Sequence, residues 1–127
     1  MLQLPIYLGG KNAEGYGVNE IELTQKIKNM IKREFPDAYI QRVSDRFLSG
    51  IPDLRVISYG LSGDIEVKLP NSKASKTSAI QDKILEYISA AGGAVAVVKS
   101  VDEARIFMIR LQRKGRVLYE SGICQNP

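Results

Sequence analysis

Apolar residues recur at helical spacing in three stretches of the chain and at strand spacing in four others. In NEIELTQKIKNMIKREF (19–35), Leu23, Ile27, Met30 and Ile31 fall on one stripe, which predicts a helix with one buried face. Asn19 caps it, Glu22 at the third helical position closes a capping box, and Pro36 stops it. AYIQRV (38–43), LRVIS (54–58) and DIEVKL (64–69) have strand composition, and the last alternates apolar with charged residues. Gly60 and Gly63 mark the turn between the second and third, which predicts an antiparallel hairpin.

After the polar, basic loop PNSKASKTS (70–78), Ser78 and Gln81 repeat the capping-box signature. They open a helix whose apolar stripe is Ile80, Ile84, Leu85 and Ile88 and which ends at Gly92 and Gly93. AVAVV (94–98) is continuously apolar, as expected of a buried strand running parallel to a neighbour after a helical crossover. Ser100 and Glu103 form a third capping box, before a helix with Val101, Ala104, Phe107, Met108 and Leu111 inward. The predicted order is α-β-β-β-α-β-α, an α/β domain with a mixed sheet and helices on its faces. Residues 1–127 are expected to form a single domain, with the glycine-bearing stretch 1–18 as a loosely ordered or partner-contacting arm.

Composition narrows the chemistry. Of the 127 residues 44% are hydrophobic and 25% charged, enough for one well-formed core. No apolar run reaches the ~18 residues of a membrane span, and a cytoplasmic location is expected. The sole cysteine, Cys124, permits no disulfide within one chain and reads as an incidental thiol. There is no histidine, so the usual general base, the usual zinc ligand and every histidine-dependent triad are absent. Chemistry is left to carboxylates and lysine, with or without a hard metal ion. The net charge of +4 weakly favours an anionic partner.

The candidate chemistry lies in GIPDL (50–54) and IEVK (65–68). Strand alternation sends Ile65, Val67 and Leu69 to one face and Asp64, Glu66 and Lys68 to the other, with Glu66 and Lys68 about 7 Å apart along the strand. Closing the hairpin brings Asp53 beside Glu66. Two adjacent carboxylates repel unless a cation or a proton lies between them. A divalent ion with oxygen ligands fits, the Val67 carbonyl is a further hard ligand in reach, and Mg2+ suits an open site shared with substrate phosphates. Lys68 can orient the attacking water and offset charge developing on a phosphate, which points to phosphodiester hydrolysis. Gly50 and Pro52 make a rigid corner that aims Asp53.

GIPDL, IEVK, the KTSAIQ stretch at the next helix and AGGAVAVVKS together resemble the virus-type replication-repair nuclease (VRR-NUC) family of the PD-(D/E)XK superfamily, over about Asn19 to Glu103. The resemblance implies a restriction-endonuclease-like αβββαβ core. It also implies a metal-dependent nuclease in which Asp53 and Glu66 bind the ion, Lys68 acts on the water and Gln81 supports the site. The family usually adds an acid from the first helix. At roughly 100° per residue, Glu20 falls about 60° from Leu23 on the inward stripe, whereas Glu22 falls about 100° away on the other side and already has a capping task, so Glu20 is favoured. Small members resemble Holliday-junction resolvases, which implies a homodimer cutting branched DNA in repair or recombination, with Mg2+ or Mn2+ as cofactor.

Each feature also has a plainer reading. Glu-x-Lys on a strand is ordinarily a solvated pair, Gln81 a capping residue, and Glu20 an acid favoured by the helix dipole. Lys73 and Lys76, and with less support Arg42 and Arg46, are candidate phosphate contacts that otherwise serve as solubilising charges. Lys26, Lys28, Lys32 and Arg33 read as a solvated helix face. Tyr39, Phe47 and Phe107 read as core rather than stacking platforms. Three functions stay open: a branched-DNA endonuclease, a flap, single-strand or restriction-like nuclease on the same fold, and a non-catalytic DNA-binding subunit.

Overall fold

The computed structural model describes residues 19–43, 49–70 and 76–122. The elements run α1 (Glu20–Glu34), β1 (Tyr39–Arg42), β2 (Leu54–Ser58), β3 (Leu61–Val67), α2 (Ala79–Ala90), β4 (Ala94–Val98) and α3 (Val101–Glu120), the order expected from the sequence. The four strands form one sheet in sequence order, β1-β2-β3-β4. The first two pairings are antiparallel and β3 pairs with β4 in parallel, with α2 as the crossover. Among the described residues no helix is long and apolar enough to cross a membrane.

One face of the sheet packs against α1 and α3. Ile27, Met30 and Ile31 of α1 meet Leu54, Val56, Ile65 and Val67 of the sheet and Ala104, Met108 and Leu111 of α3. The α1 cap forms as its sequence predicts: the Glu22 N–H donates to Asn19 Oδ1 and the Asn19 N–H to Glu22 Oε1. At α3 the third capping box is only half made. Glu103 N–H donates to Ser100 Oγ, but the Glu103 carboxylate accepts from Lys99 N–H rather than from the cap residue.

Four expectations need correction. Gly63 is not in the turn: the hairpin register pairs Ser58 with Leu61, leaving a two-residue loop of Tyr59 (φ 49°) and Gly60 (φ 85°). Both loop residues have the positive φ of the tight hairpin turn that matches strand twist. Gly63 lies within β3 because a Cβ there would stand 2.8 Å from the Phe107 ring. The strand therefore starts three residues earlier than its alternation suggests, and it stops before Lys68. Second, β4 is the edge strand, and of its five residues only Val98 is buried. Third, α2 buries no residue fully, and Ile80, placed on its inward stripe by sequence, is 55% exposed. Among the described residues α2 is the one helix on this face, and its 12 residues are too few to cover four strands. Fourth, Tyr39 is exposed rather than core, because it faces the open side of β1. Phe107 packs against the core, and Phe47 and Cys124 lie outside the described residues, as does segment 1–18.

Candidate active site

The candidate site forms where β2 begins and β3 ends. Leu54 pairs with Ile65, so Asp53, one residue before β2, stands across from Glu66. The main chain at Asp53 is pinned on one side, where its carbonyl accepts the Val43 N–H at 2.9 Å. Its side chain turns to the other side, where Oδ2 accepts the Val67 N–H at 2.7 Å. The Val67 main chain therefore lies against Asp53. Ahead of Asp53, Gly50 takes φ +86°, and a Cβ there would stand 2.6 Å from Ile80 Cγ2. The corner thus needs glycine both for its dihedral and for its contact with α2.

Glu66 points away from the α1/α3 core yet is only 2% exposed, because α2 begins over it. Its Oε2 accepts from Gln81 Nε2 at 2.9 Å and faces Lys68 Nζ at 3.3 Å. Lys68 is 8% exposed, unusual for a lysine, and its N–H donates to Val98 O, so the edge strand β4 fixes its backbone just past β3. Asp64, on the same strand face, has a separate task. It is buried and its two oxygens take a two-pronged contact from Arg55 directly across the hairpin.

The electrostatics join a third acid to this pair. Burial pushes the Glu66 carboxyl up to about 7, helped by the Asp53 charge and opposed by Lys68, with Glu20 adding a smaller push. Asp53 is also raised, by burial first, against the lowering effect of the Val67 N–H and of the Lys68 and Arg42 charges. Glu20, in the first turn of α1, is raised by burial and by Asp53 and lowered by Lys68. Glu20 is thus within electrostatic reach of both, while Glu22 is occupied in the α1 cap.

Three acids held toward their neutral forms around one lysine make a place where a cation is favoured. Asp53 Oδ1 and Glu66 Oε1 accept no hydrogen bond among the described residues, leaving one carboxylate oxygen on each for a hard ion. Among the described residues no three acidic side chains stand close enough together to hold a metal ion between them. A sparse oxygen set of this kind suits an ion that keeps most of its shell for water and substrate, as Mg2+ does.

The structure therefore brings together Asp53, Glu66, Lys68 and Gln81, with the Val67 main chain beside them, and leaves Glu20 within electrostatic reach. Arg42 is exposed, and its charge acts on Asp53. Lys76 is exposed ahead of α2, and Lys73 and Arg46 lie outside the described residues. Sequence reasoning overlooked the Val67 N–H as a donor that orients Asp53, because only the pairing register creates it. It also overlooked the Arg55–Asp64 pair, which the opposite charges on facing strands could have signalled.

No sequence-family model matches the chain, and neither does any curated protein. Solved structures do. One described as "VRR_NUC domain" superposes with a TM-score of 0.55 at 25% identity, covering 67% of this chain and 92% of that one. Another, "VRR_NUC domain protein", gives a TM-score of 0.59 at 25% identity, covering 77% and 90%. The mixed four-stranded sheet with three helices is a restriction-endonuclease-like α/β fold of nuclease type. Within that class the chain is similar to VRR-NUC domain proteins.

Proposed function

We propose that this protein is a divalent-metal-dependent endodeoxyribonuclease that hydrolyses phosphodiester bonds, cutting branched DNA such as four-way junctions as a homodimer. The observation that carries the reading is the convergence of Asp53, Glu66 and the buried Lys68 at the ends of β2 and β3. A domain that only bound DNA would have no use for two mutually destabilised acids beside a buried lysine.

In this reading Asp53 and Glu66, with the Val67 carbonyl and Glu20, hold Mg2+ or Mn2+. The bound ion supplies Lewis acidity and offsets charge on the scissile phosphate. The chain's own residues do the rest. Val67 N–H and Gln81 Nε2 each hold one oxygen of Asp53 and Glu66, aiming the carboxylates. Lys68, kept from solvent, orients the attacking water and places its positive charge beside the phosphate as charge builds. Arg42, Lys76, Lys73 and Arg46 contact the DNA backbone around the site.

The test is a panel of labelled four-way junctions, flaps, single strands and plain duplex, incubated with Mg2+ or Mn2+, with EDTA and Lys68→Ala as controls. Cleavage of junctions above the other substrates, lost in EDTA and in the variant, is the expected result. Preferential cutting of flaps or single strands would move the assignment to the alternative nuclease class. Tight junction binding without cutting in any metal would make the protein a binding subunit.

A further inference from the structure

We propose that Ser78 is a positioning residue for this site: through the α2 capping box its backbone N–H dictates which way the Gln81 amide faces, and so makes Gln81 a donor to Glu66. The proposal rests on the reading of Glu66 as a working carboxylate. The Ser78 N–H donates to Gln81 Oε1 at 2.9 Å, the Gln81 N–H donates to Ser78 Oγ at 3.2 Å, and Gln81 Nε2 donates to Glu66 Oε2 at 2.9 Å.

A side-chain amide has one oxygen and one NH2 group, and here both ends are used. Turned over, the amide would set its oxygen against the Glu66 carboxylate and its NH2 against the Ser78 N–H. Both contacts would be lost at once, so the cap decides the orientation. In an ordinary capping box glutamate serves as well as glutamine at the third position. Glutamate here would satisfy the cap but offer Glu66 a second acceptor instead of a donor. Only glutamine meets both demands. Among the described residues the first turn of α2 has little apolar anchorage: the helix buries no residue fully, and at this end Ile80 packs against Gly50. With Oε2 of Glu66 held by Gln81 and Lys68, Oε1 is the oxygen left for the reaction.

Three variants separate the cap from the amide. Ser78→Ala removes the hydroxyl and keeps the N–H. Ser78→Pro removes both, at a position whose φ of −78° suits proline. Gln81→Glu keeps the cap and removes the donor. Each is measured for melting temperature, for kcat and KM on the cleaved DNA, and, without metal or DNA, for hydrogen exchange of the Gln81 side-chain NH2 by NMR. Ser78→Ala is expected to lower Tm by about 4 °C while kcat stays within about twofold. Ser78→Pro is expected to lose protection of the Gln81 NH2 and about tenfold in kcat with KM unchanged. Gln81→Glu is expected to lose the same tenfold while far-UV circular dichroism shows the protein still folded at the assay temperature, which separates the amide's role from folding if Ser78→Pro proves unstable.

Equal kcat losses in Ser78→Ala and Ser78→Pro, or wild-type kcat in Gln81→Glu, would overturn the proposal. If the wild-type protein cuts no DNA, the functional reading fails on its own. A protected Gln81 NH2 that Ser78→Pro exposes would then still support the orienting role, and an unprotected one would end it.

Discussion

On the α1/α3 side of the sheet, Ile27, Ile31, Ile65 and Met108 are wholly removed from solvent, whereas on the α2 side no helix residue is fully buried and Ile57, Ile80, Tyr87 and Val97 stay at least 40% exposed. The two sides divide the work. The first supplies the hydrophobic free energy that holds the chain folded. The second contributes little apolar burial and instead lowers one polar turn, Ser78 to Gln81, onto Glu66. The candidate site lies at the seam, with acids aimed by strands whose other face is sealed.

Substitution can break or sharpen this division. Ile27→Ala, on the sealed side, is expected to lower unfolding stability by roughly 2–5 kcal/mol in urea titrations. Lys68→Ala is expected to cut DNA cleavage by roughly 10²- to 10⁴-fold while far-UV circular dichroism stays native. At pH 8, Glu66→Gln should abolish metal-dependent cleavage yet stabilise the metal-free protein by about 1–3 kcal/mol, because it removes a buried charge held against its preference. Tyr87→Ser, on the thin side, should change stability by no more than about 0.5 kcal/mol. If Tyr87→Ser cost as much as Ile27→Ala, the division would be wrong.

Acidity gives a further check. The Glu66 carboxyl is raised from its ordinary 4.5 to about 7 in the folded chain, so the folded state holds this proton more tightly than the unfolded state does. Its contribution to stability is fully present below about 4.5 and is lost as pH rises through about 7. Metal-free melting temperatures should therefore fall over that interval in the wild type and less in Glu66→Gln. A metal ion competes with the same proton, so Mn2+ affinity measured by calorimetry should climb as pH rises toward 7 and level off above it.

Much of this was legible in the residues. The stripe of Leu23, Ile27, Met30 and Ile31, the alternation of DIEVKL and the cap pairs at Asn19 and Ser78 are local signals, and they give the order of elements. The capping task assigned to Glu22 was legible too, and Glu20 lies within electrostatic reach of Asp53. What sequence left out depends on pairing and coverage. Leu61–Gly63 joins β3 without strand-like composition, because Gly63 is selected by the approach of Phe107 rather than by propensity. The half-exposed state of AVAVV follows from its place at the sheet edge, which an apolar run cannot announce. The Val67 N–H reaches Asp53 only through the hairpin register.

The hydrogen bond from Lys68 N–H to Val98 O has a consequence for the life of the chain on the ribosome. Parallel pairing must wait for the whole crossover, so a nascent polypeptide that has already made Asp53, Glu66 and Lys68 lacks the main-chain partner of Lys68 until β4 has emerged. The site is thus completed late in synthesis, and incomplete products ending before Val98 lack the bond that fixes the Lys68 main chain.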